Sequence, residues 1–363
     1  MSKSLLNRIQ DAEALLLWNR FAASFPEPVP FSFNPCLFSF YQNHFRWRPY
    51  YILLYHNNQL AGLLPLVFTG KAWVSLPHFS YGGILSKEKK FTGEPTEIIR
   101  QIAHLLDKIK PLPGFFRFNP ENLPQPNRKA VKIFVRDLHT GDNKQSSQQK
   151  ISSIMVLKPD TTLMWEEVNP NLRRKIGKAA KSETEWKTGG KELIDDFYRV
   201  YVRNICRLGS LAYDKKFFID LYENYAYGTL RFFVAYRDAR PIGSALLAGY
   251  QGFYENLFFA TLPPFRKHYL SDGLHWQMIK FSIADFNKLS PAAKTYGFYS
   301  FGRSTLRSSV HRYKSHWPVK DVALRYVSDL RDVRSNRLLS NITGMLPCFV
   351  MQSIGPYFIR HIY

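Results

Sequence analysis

The stretch YYILLYHNNQLAGLLPLVF at residues 50–68 has a counterpart in LRFFVAYRDARPIGSALLAGY at residues 230–250. Each is an apolar run that ends in Tyr, four turn residues, and a second apolar run whose third residue is Gly. The two tyrosines, Tyr55 and Tyr236, lie 181 residues apart, which is half of the chain. Aromatic and β-branched runs around a short turn with Asn or Asp predict a β-hairpin. The repetition therefore predicts a duplicated α/β domain.

The length and the net charge constrain the number of domains and the kind of partner. A chain of 363 residues is long enough for two domains that each bury a core. The net charge of +22 favours an anionic partner, such as RNA, a phosphorylated donor or the inner face of a membrane. The basic residues are concentrated at residues 171–191 and 300–320. The first of these runs is equally consistent with a solvated helix face.

The cysteines and the N-terminus predict the compartment. Cys36, Cys206 and Cys348 form no C-x-x-C pair, which favours a reducing compartment over a disulfide framework or structural zinc. Asp11 and Glu13 lie where a signal peptide needs an apolar core, so residues 1–20 predict an amphipathic helix of a cytosolic protein. We expect a cytoplasmic protein, with a peripheral position at the inner face of the plasma membrane as a further option.

Periodicity and turn signals predict the order of the elements. The polar stretch at residues 138–150 is the clearest boundary, so we expect an N-terminal domain at 1–150, a C-terminal domain at 151–335 and an apolar tail at 336–363. The C-terminal domain predicts helices, three antiparallel strands, a helix and one more strand, an order that fits the acetyltransferase-like (GNAT) α/β layer fold. Helices are predicted at residues 5–23, 35–44, 95–110, 192–209, 215–225 and 272–287, and strands at 115–120, 131–137, 151–159, 252–260, 294–301 and 322–327.

Several catalytic motifs do not occur in the sequence. It contains no G-x-x-x-x-G-K-S/T loop, no G-x-G-x-x-G turn and no G-x-S-x-G elbow. It contains no H-E-x-x-H motif or close His/Asp/Glu cluster, so we expect no metal site. GNAT enzymes place an R/Q-x-x-G-x-G/A turn before the central helix to hold the pyrophosphate of CoA. The chain has FRKHYLSDGLHW at residues 265–276, with Arg266 and Gly273 but without the glycine turn, so we expect no CoA binding of the ordinary kind.

Three segments resemble the FemAB-like branch of the GNAT superfamily, and more closely the FemAB-like proteins associated with exosortase/PEP-CTERM exopolysaccharide systems. The most specific is FGRST at residues 301–305, followed by R-Y-K-x-x-W at residues 312–317. The others lie at residues 198–218 and 265–281, and LPHFSYGGIL at 76–85 matches a weaker pattern. The chain departs from the family pattern at Cys206, Ser210 and Ser271–Gly273, and no long helical arm is evident.

The resemblance implies two tandem GNAT-like domains with mixed, mostly antiparallel sheets. It also implies an acyl or aminoacyl transferase that acts on a cell-envelope precursor related to peptidoglycan or exopolysaccharide. No bound cofactor is expected, and the co-substrate donor is aminoacyl-tRNA or acyl-CoA. The acceptor is a lipid-linked or polysaccharide molecule. Two alternatives remain: a CoA-dependent N- or O-acyltransferase that modifies exopolysaccharide, and a non-catalytic RNA- or polymer-binding module of the same fold.

The candidate site residues follow from acyl transfer, which needs cations for anionic substrates and a group that removes a proton. Arg203 and Arg207 lie one helical turn apart and could form a paired anion site. Arg303 follows an apolar strand at the start of a loop, a common position for functional residues. Asp272 and Glu255 are candidates for the base, whereas core packing is the better reading for Tyr254. We predict Arg303, Ser304, Lys314 and Tyr213 as catalytic, and Arg203, Asn204, Arg207, Trp317, Tyr313 and Asp272 as substrate-binding.

The C-terminal tail is apolar and is interrupted by Pro347, Gly355 and Pro356. It is too broken for a transmembrane helix. One interpretation is that residues 338–363 lie at the surface of an anionic leaflet, since arginines precede them. Packing of the tail against the first domain is the other.

Overall fold

The chain folds into helices and two mixed β-sheets. A computed structural model describes residues 2–70, 72–87, 114–118, 133–137, 149–289, 296–327 and 348–360. In the first half the elements are α1 (Ser2–Ala23), a 3₁₀ helix (Phe31–Phe33), α2 (Leu37–Phe45), β1 (Arg48–His56), β2 (Gln59–Phe68), β3 (Trp73–Val74), β4 (Leu85–Ser86), β5 (Gly114–Phe118) and β6 (Ile133–Asp137).

The second half alternates helices with longer strands. Its elements are β7 (Lys150–Leu157), α3 (Thr161–Glu167), α4 (Pro170–Ala180), β8 (Glu185–Gly189), a 3₁₀ helix (Lys191–Leu193), α5 (Ile194–Arg207), α6 (Lys215–Asn224), β9 (Thr229–Arg237), β10 (Arg240–Tyr250), β11 (Phe253–Thr261), a 3₁₀ helix (Pro263–His268), α7 (Leu270–Phe286), β12 (Gly297–Thr305), α8 (Ser309–Lys314), β13 (Lys320–Ala323), β14 (Arg325–Val327) and α9 (Cys348–Ile359). Side chains of Asp160, Asn169, Asp214 and Ser308 cap the helices α3, α4, α6 and α8.

Both predicted hairpins are confirmed. β1 pairs antiparallel with β2, and β9 pairs antiparallel with β10. The central turn residues have positive φ in both copies, Asn57 and Asn58 in the first, Asp238 and Ala239 in the second. A two-residue hairpin turn whose twist matches that of its strands has positive φ at both central residues. The sequence repetition therefore reflects a repeated backbone geometry.

The two hairpins lie in separate seven-stranded sheets. The order is β14-β6-β3-β2-β1-β5 in the first sheet, where β4 also pairs with β2, and β13-β7-β12-β11-β10-β9-β8 in the second. Most neighbours are antiparallel, and β1–β5, β3–β6 and β11–β12 are parallel. The predicted mixed, mostly antiparallel α/β architecture is confirmed. β14 lies in the predicted C-terminal domain but pairs with β6 of the first sheet, and the proposed boundary at 150/151 stays a prediction.

Helix α5 lies at the centre of a core that both halves share. Phe197 and Tyr201 of α5 are buried in one cluster with Trp18, Phe40 and Tyr51 of the first half. Helical spacing over residues 192–209 predicts one apolar stripe from Leu193 to Leu208, and most of this stripe is buried. Its last member, Leu208, is instead 56% exposed at the C-cap of α5. Gly209 follows with φ +64, as expected for a helix stop.

Most predicted elements are confirmed within a few residues of their ends. The last predicted strand is divided into β13 and β14, which pair with different sheets. The predicted helix at residues 95–110 and most of the polar stretch at 138–150 lie outside the described residues.

The cysteine interpretation is wrong for two of the three residues. Cys206 and Cys348 form a disulfide although 142 residues separate them, and Cys36 is free. The bond ties α9 to α5, and Gly355 of α9 lies directly on the backbone of Ala212. The described part of the tail therefore packs on α5 in the second half of the chain, and the charge of Arg360 also acts on His44 of the first half. Membrane contact through residues 338–363 stays a prediction.

Among the described residues, no helix is both long enough and apolar enough to span a bilayer.

Candidate functional site

A cavity of about 710 Å³ opens between β11 and β12. These two strands pair in parallel over only three residues each, Phe253–Glu255 with Phe298–Ser300. Beyond this point β11 continues along β10, and β12 continues along β7. The strands separate because each follows a different neighbour. Of the ten predicted site residues, six line the cavity: Asn204, Arg207, Tyr213, Arg303, Tyr313 and Lys314.

A backbone bulge in β12 shapes one wall. The register between β12 and β7 shifts between Ser300 and Arg303, and Gly302 has φ +73. The amide of Gly302 donates to Oγ of Ser300 at 3.1 Å. Nζ of Lys314 donates to the carbonyl oxygens of Gly302 at 2.7 Å and Arg303 at 3.0 Å. Lys314, which is 5% exposed, thus holds the turn that carries Arg303 to the cavity.

Burial lowers the pKa of Lys314 to about 8, although the negative charge of Glu255 opposes this shift. Glu255 is 1% exposed and is the only carboxylate among the described residues that line the cavity. Its charge also raises the pKa of Tyr81, after burial, which is the larger cause. The cavity therefore combines one buried carboxylate with a lysine whose charge changes near neutral pH.

Tyr81 connects the first half of the chain to this wall. Its hydroxyl forms hydrogen bonds with Oγ of Ser152 and, at 2.7 Å, with Oγ of Ser300. His78, which has φ +72, lines the cavity from the same segment, and its ring meets that of Tyr213 edge to face at 5.6 Å. Both halves of the chain therefore build the cavity, and the weaker family pattern at residues 76–85 supplies the contribution of the first half.

The opposite wall carries two arginines. Nη2 of Arg207 donates to Oδ1 of Asn204 at 3.1 Å. Arg266 donates to Oγ1 of Thr261 at 3.3 Å through Nε and to the carbonyl oxygen of Thr261 at 3.1 Å through Nη2. Burial, and then the positive charge of Arg207, lower the pKa of Arg266. Two guanidinium groups close enough to repel each other form a site suited to an anion.

Histidine 275 is a cavity residue that sequence reasoning missed. Its Nδ1 lies 2.9 Å from the hydroxyl of Tyr299, and its ring stacks on Phe259 at 4.2 Å. Burial, and then the charge of Lys314, hold the pKa of His275 well below its usual value. The imidazole is therefore neutral at physiological pH. One of its ring nitrogens can donate a hydrogen bond and the other can accept one, and the ring adds no charge to the cavity.

Four predicted site residues do not line the cavity. Ser304 is buried on β12, because alternation along the strand turns it away from the face of Arg303. Trp317 is 3% exposed and packs on Phe301 in the core. Asp272 is buried in the first turn of α7. Burial, and then the charge of Asp272, raise the pKa of Tyr313. Arg203 is exposed on α5.

Tyr254 is buried, as the packing interpretation expected, and its hydroxyl donates to Oδ2 of Asp285 at 2.9 Å.

Arg303 is exposed on the cavity wall, and its guanidinium forms no ion pair with any residue that the structure describes. Arg303→Lys keeps the charge but loses the planar fork. We expect KM for the anionic donor to rise roughly 10- to 100-fold, the equivalent of one lost charged hydrogen bond, with an unchanged melting temperature. Steady-state kinetics and thermal unfolding would measure both.

Arg307→Lys is the matched control, since Arg307 is exposed in the following turn and does not line the cavity. Equal kinetics for the two variants, or unfolding of the Arg303 variant, would contradict a role for Arg303 in substrate binding.

Comparison with known proteins identifies the catalytic class. Residues 168–315, which contain every predicted site residue except Trp317, match the model of the acetyltransferase (GNAT) domain. This part of the chain is therefore a GNAT domain, and the protein is an acyltransferase. No curated protein matches its sequence.

Solved structures support the fold of this acyltransferase. The crystal structure of FemX is 12% identical, with a TM-score of 0.56 over 85% of this chain and 93% of that one. A tandem GNAT protein from the clavulanic acid biosynthesis pathway is 8% identical, with a TM-score of 0.50 over 90% and 97%. The C-terminal domain of a putative lysylphosphatidylglycerol synthetase from Agrobacterium fabrum is 9% identical, with a TM-score of 0.49 over 92% and 96%. The FemX and tandem GNAT structures confirm the predicted tandem GNAT-like fold class.

Proposed function

We propose that this acyltransferase transfers an acyl or aminoacyl group to a cell-envelope precursor, in the manner of FemAB-like proteins. The precursor is a lipid-linked or polysaccharide molecule related to peptidoglycan or exopolysaccharide. The observation that carries the proposal is the cavity between the diverging strands, with four cations around one buried carboxylate: Arg207, Arg266, Arg303, Lys314 and Glu255. Such a cavity suits an anionic donor and a nucleophile that must lose a proton.

The separation of β11 and β12 supports donor binding between them. Strands that part leave backbone amides and carbonyls directed into the gap, where an extended donor can pair with them. Arg207 and Arg266 on one wall, and Arg303 on the other, are placed to neutralise the phosphates of that donor.

The start of α7 favours a donor other than CoA bound in the ordinary way. Residues Pro263–His268 form a 3₁₀ helix instead of a glycine-rich turn. A Cβ on Gly273 would lie 2.8 Å from Cβ of Ala179 and 2.8 Å from the ring of Trp186. Gly273 therefore serves close helix packing and does not approach a phosphate. This supports aminoacyl-tRNA as the donor, with acyl-CoA as the alternative.

Glu255 is the base in this proposal. The amine or hydroxyl of the acceptor gives its proton to the Glu255 carboxylate as its nitrogen or oxygen attacks the acyl carbon. A new bond to the acyl carbon forms, and the bond to the carrier breaks. The carrier leaves as a ribose hydroxyl or a thiol after it receives the proton that Glu255 took from the acceptor. The rim of the cavity, where Leu208 and Val310 are 56% and 52% exposed, offers apolar contact to a lipid-linked acceptor.

Mass spectrometry of purified protein tests the proposal. The protein is offered aminoacyl-tRNA or acyl-CoA, each with a lipid-linked peptidoglycan precursor or an exopolysaccharide fragment. We expect transfer from aminoacyl-tRNA. Transfer only from acyl-CoA to exopolysaccharide would establish the CoA-dependent alternative, and transfer from neither, with salt-sensitive RNA binding, would contradict the proposal.

A further inference from the structure

Helix α4 carries cations that the proposed chemistry does not use. Its apolar residues Leu172, Ile176 and Ala179 are buried. Five cations occupy other positions of the helix and its C-cap: Arg173, Arg174, Lys175, Lys178 and Lys181. The charge of Lys175 acts on the buried carboxylate of Asp272, but none of the five forms an ion pair with a residue that the structure describes. Like charges three and four residues apart on a helix repel each other, so this surface is suited to a polyanion.

Three of the cations are exposed along one side of the helix, which we call the basic face of α4. Arg174, Lys178 and Lys181 follow one another at intervals of four and three residues, in a row that covers about 10 Å of helix axis. Beside this face is a cleft of about 520 Å³, lined by Asn169, Asn171, Leu172, Arg174, Lys175 and His316. Nδ2 of Asn169 donates to the carbonyl oxygen of His316 at 2.7 Å and joins its two sides. Arg174 and Lys175 give a phosphate group in this cleft two cationic partners.

The basic face of α4 leads to the cavity. Nζ of Lys178 lies 5.8 Å from the centroid of the Tyr269 ring. Tyr269 directly follows the 3₁₀ helix that carries the exposed Lys267 and Arg266 of the cavity wall. Positive charge therefore extends from α4 to the place where the proposed donor is held. A chain of phosphates that leaves the cavity beside Arg266 can continue over α4.

The side of the sheet on which α4 lies favours RNA over a lipid surface. Helices α4 and α7 pack in a core cluster that includes Phe233 of β9, whereas α5 packs in a cluster that includes Phe232. Successive residues of a strand point to opposite faces of the sheet, so α4 and α5 lie on opposite faces. Helix α9, which belongs to the predicted membrane contact, is joined to α5 by the disulfide. A bilayer in contact with α9 is therefore on the other side of the sheet from α4.

The exposed side chains of α4 support the same choice. They belong to Pro170, Asn171, Arg174, Lys178, Ala180 and the C-cap Lys181. None of them is a large apolar side chain, whereas a helix that lies in a membrane interface inserts Trp, Phe or Leu between the lipids. Contacts with a nucleic-acid backbone instead depend on Lys and Arg.

We infer that the basic face of α4 binds the phosphate backbone of RNA, and that this RNA is the body of an aminoacyl-tRNA whose acyl end occupies the cavity. RNA binding by α4 does not depend on catalysis. The identification of that RNA as the donor rests on the proposed function. Because the contacts are with phosphates, they position the donor and do not depend on its base sequence.

Binding of uncharged tRNA at several salt concentrations tests the inference. The α4 variant combines Arg174→Gln, Lys178→Gln and Lys181→Gln. We expect it to bind tRNA roughly 10- to 100-fold more weakly than the wild-type protein, with a slope of log K against log salt that is smaller by about 2–3. The matched control changes three exposed cations on other surfaces, Arg46→Gln, Arg48→Gln and Lys288→Gln. It loses the same net charge and should bind tRNA nearly as the wild-type protein does.

Kinetics and thermal unfolding separate this surface from the cavity and from a structural role. In the α4 variant, KM for aminoacyl-tRNA should rise by a similar factor. KM for an aminoacyl trinucleotide, which lacks the body of the tRNA, should not change, and neither should kcat for either donor. The melting temperature should be unchanged or higher, because three mutually repelling charges are removed.

The inference is overturned if the α4 variant binds tRNA as tightly as the wild-type protein, or if the control loses as much affinity as the α4 variant. It is also overturned if the α4 variant keeps tRNA binding but no longer floats with anionic vesicles, since α4 would then be a lipid-binding surface. Binding of tRNA that depends on α4, without transfer from aminoacyl-tRNA, would support the RNA surface and remove the proposed function. The two failures are therefore distinguishable.

Discussion

Glu255→Gln should lower kcat by roughly 10²- to 10⁴-fold, the usual contribution of a general base. Glutamine has the shape of glutamate but cannot take a proton from the acceptor. Glu255 is the only carboxylate among the described cavity-lining residues, so none of them could replace it in that role. The rate of product formation at saturating donor and acceptor, followed by mass spectrometry, measures the effect.

Asp220→Asn is the matched control, because Asp220 is also a buried carboxylate but pairs with His44 and Lys216 outside the cavity. It should lose stability, since His44 and Lys216 lose a charged partner, yet keep kcat. The assignment of Glu255 as the base fails if the two variants have similar kcat, or if Glu255→Gln loses activity only because it unfolds.

The second large effect is expected at Lys314. Lys314→Met leaves the carbonyls of Gly302 and Arg303 without the ammonium that holds them. We expect the free energy of unfolding to fall by about 1–3 kcal/mol and kcat/KM to fall roughly 10- to 100-fold, because the bulge that carries Arg303 is no longer fixed. Denaturant unfolding and steady-state kinetics measure these two quantities.

The pH dependence gives Lys314 a signature of its own. Its pKa is lowered from 10.5 to about 8 in the folded chain, so between these values the unfolded chain binds more protons than the folded one. The free energy of unfolding should therefore rise with pH across this range on account of Lys314, and the rise should be absent in Lys314→Met. The ammonium is charged only below about pH 8, so KM for the anionic donor should increase above it.

Lys314→Arg stays charged throughout this range and is the control. Its KM should vary less with pH than that of the wild-type protein, whatever the absolute activity. If the wild-type and Arg variants show the same pH dependence of KM, the ammonium of Lys314 does not contribute to donor binding.

The sequence determined the local elements of this protein. Alternating apolar runs and the turns at residues 56–59 and 237–240 encode the hairpins, because strand register and turn geometry depend on neighbouring residues. The spacing of Phe197, Val200 and Tyr201 encodes the buried face of α5 for a similar reason. Arg303 was identifiable as a candidate site residue because a strand opens into a loop at that point, and it lines the cavity.

The tertiary structure decided which side chains meet. No local pattern joins Cys206 to Cys348, and none shows that Glu255 and Arg303 face one cavity while Ser304 and Trp317 do not. The cavity forms because β11 and β12 separate after three paired residues. They separate because β11 continues to pair with β10, whereas β12 continues to pair with β7. Periodicity sets the face of a residue within its own element. Contacts between elements distant in sequence set which of those faces become a site.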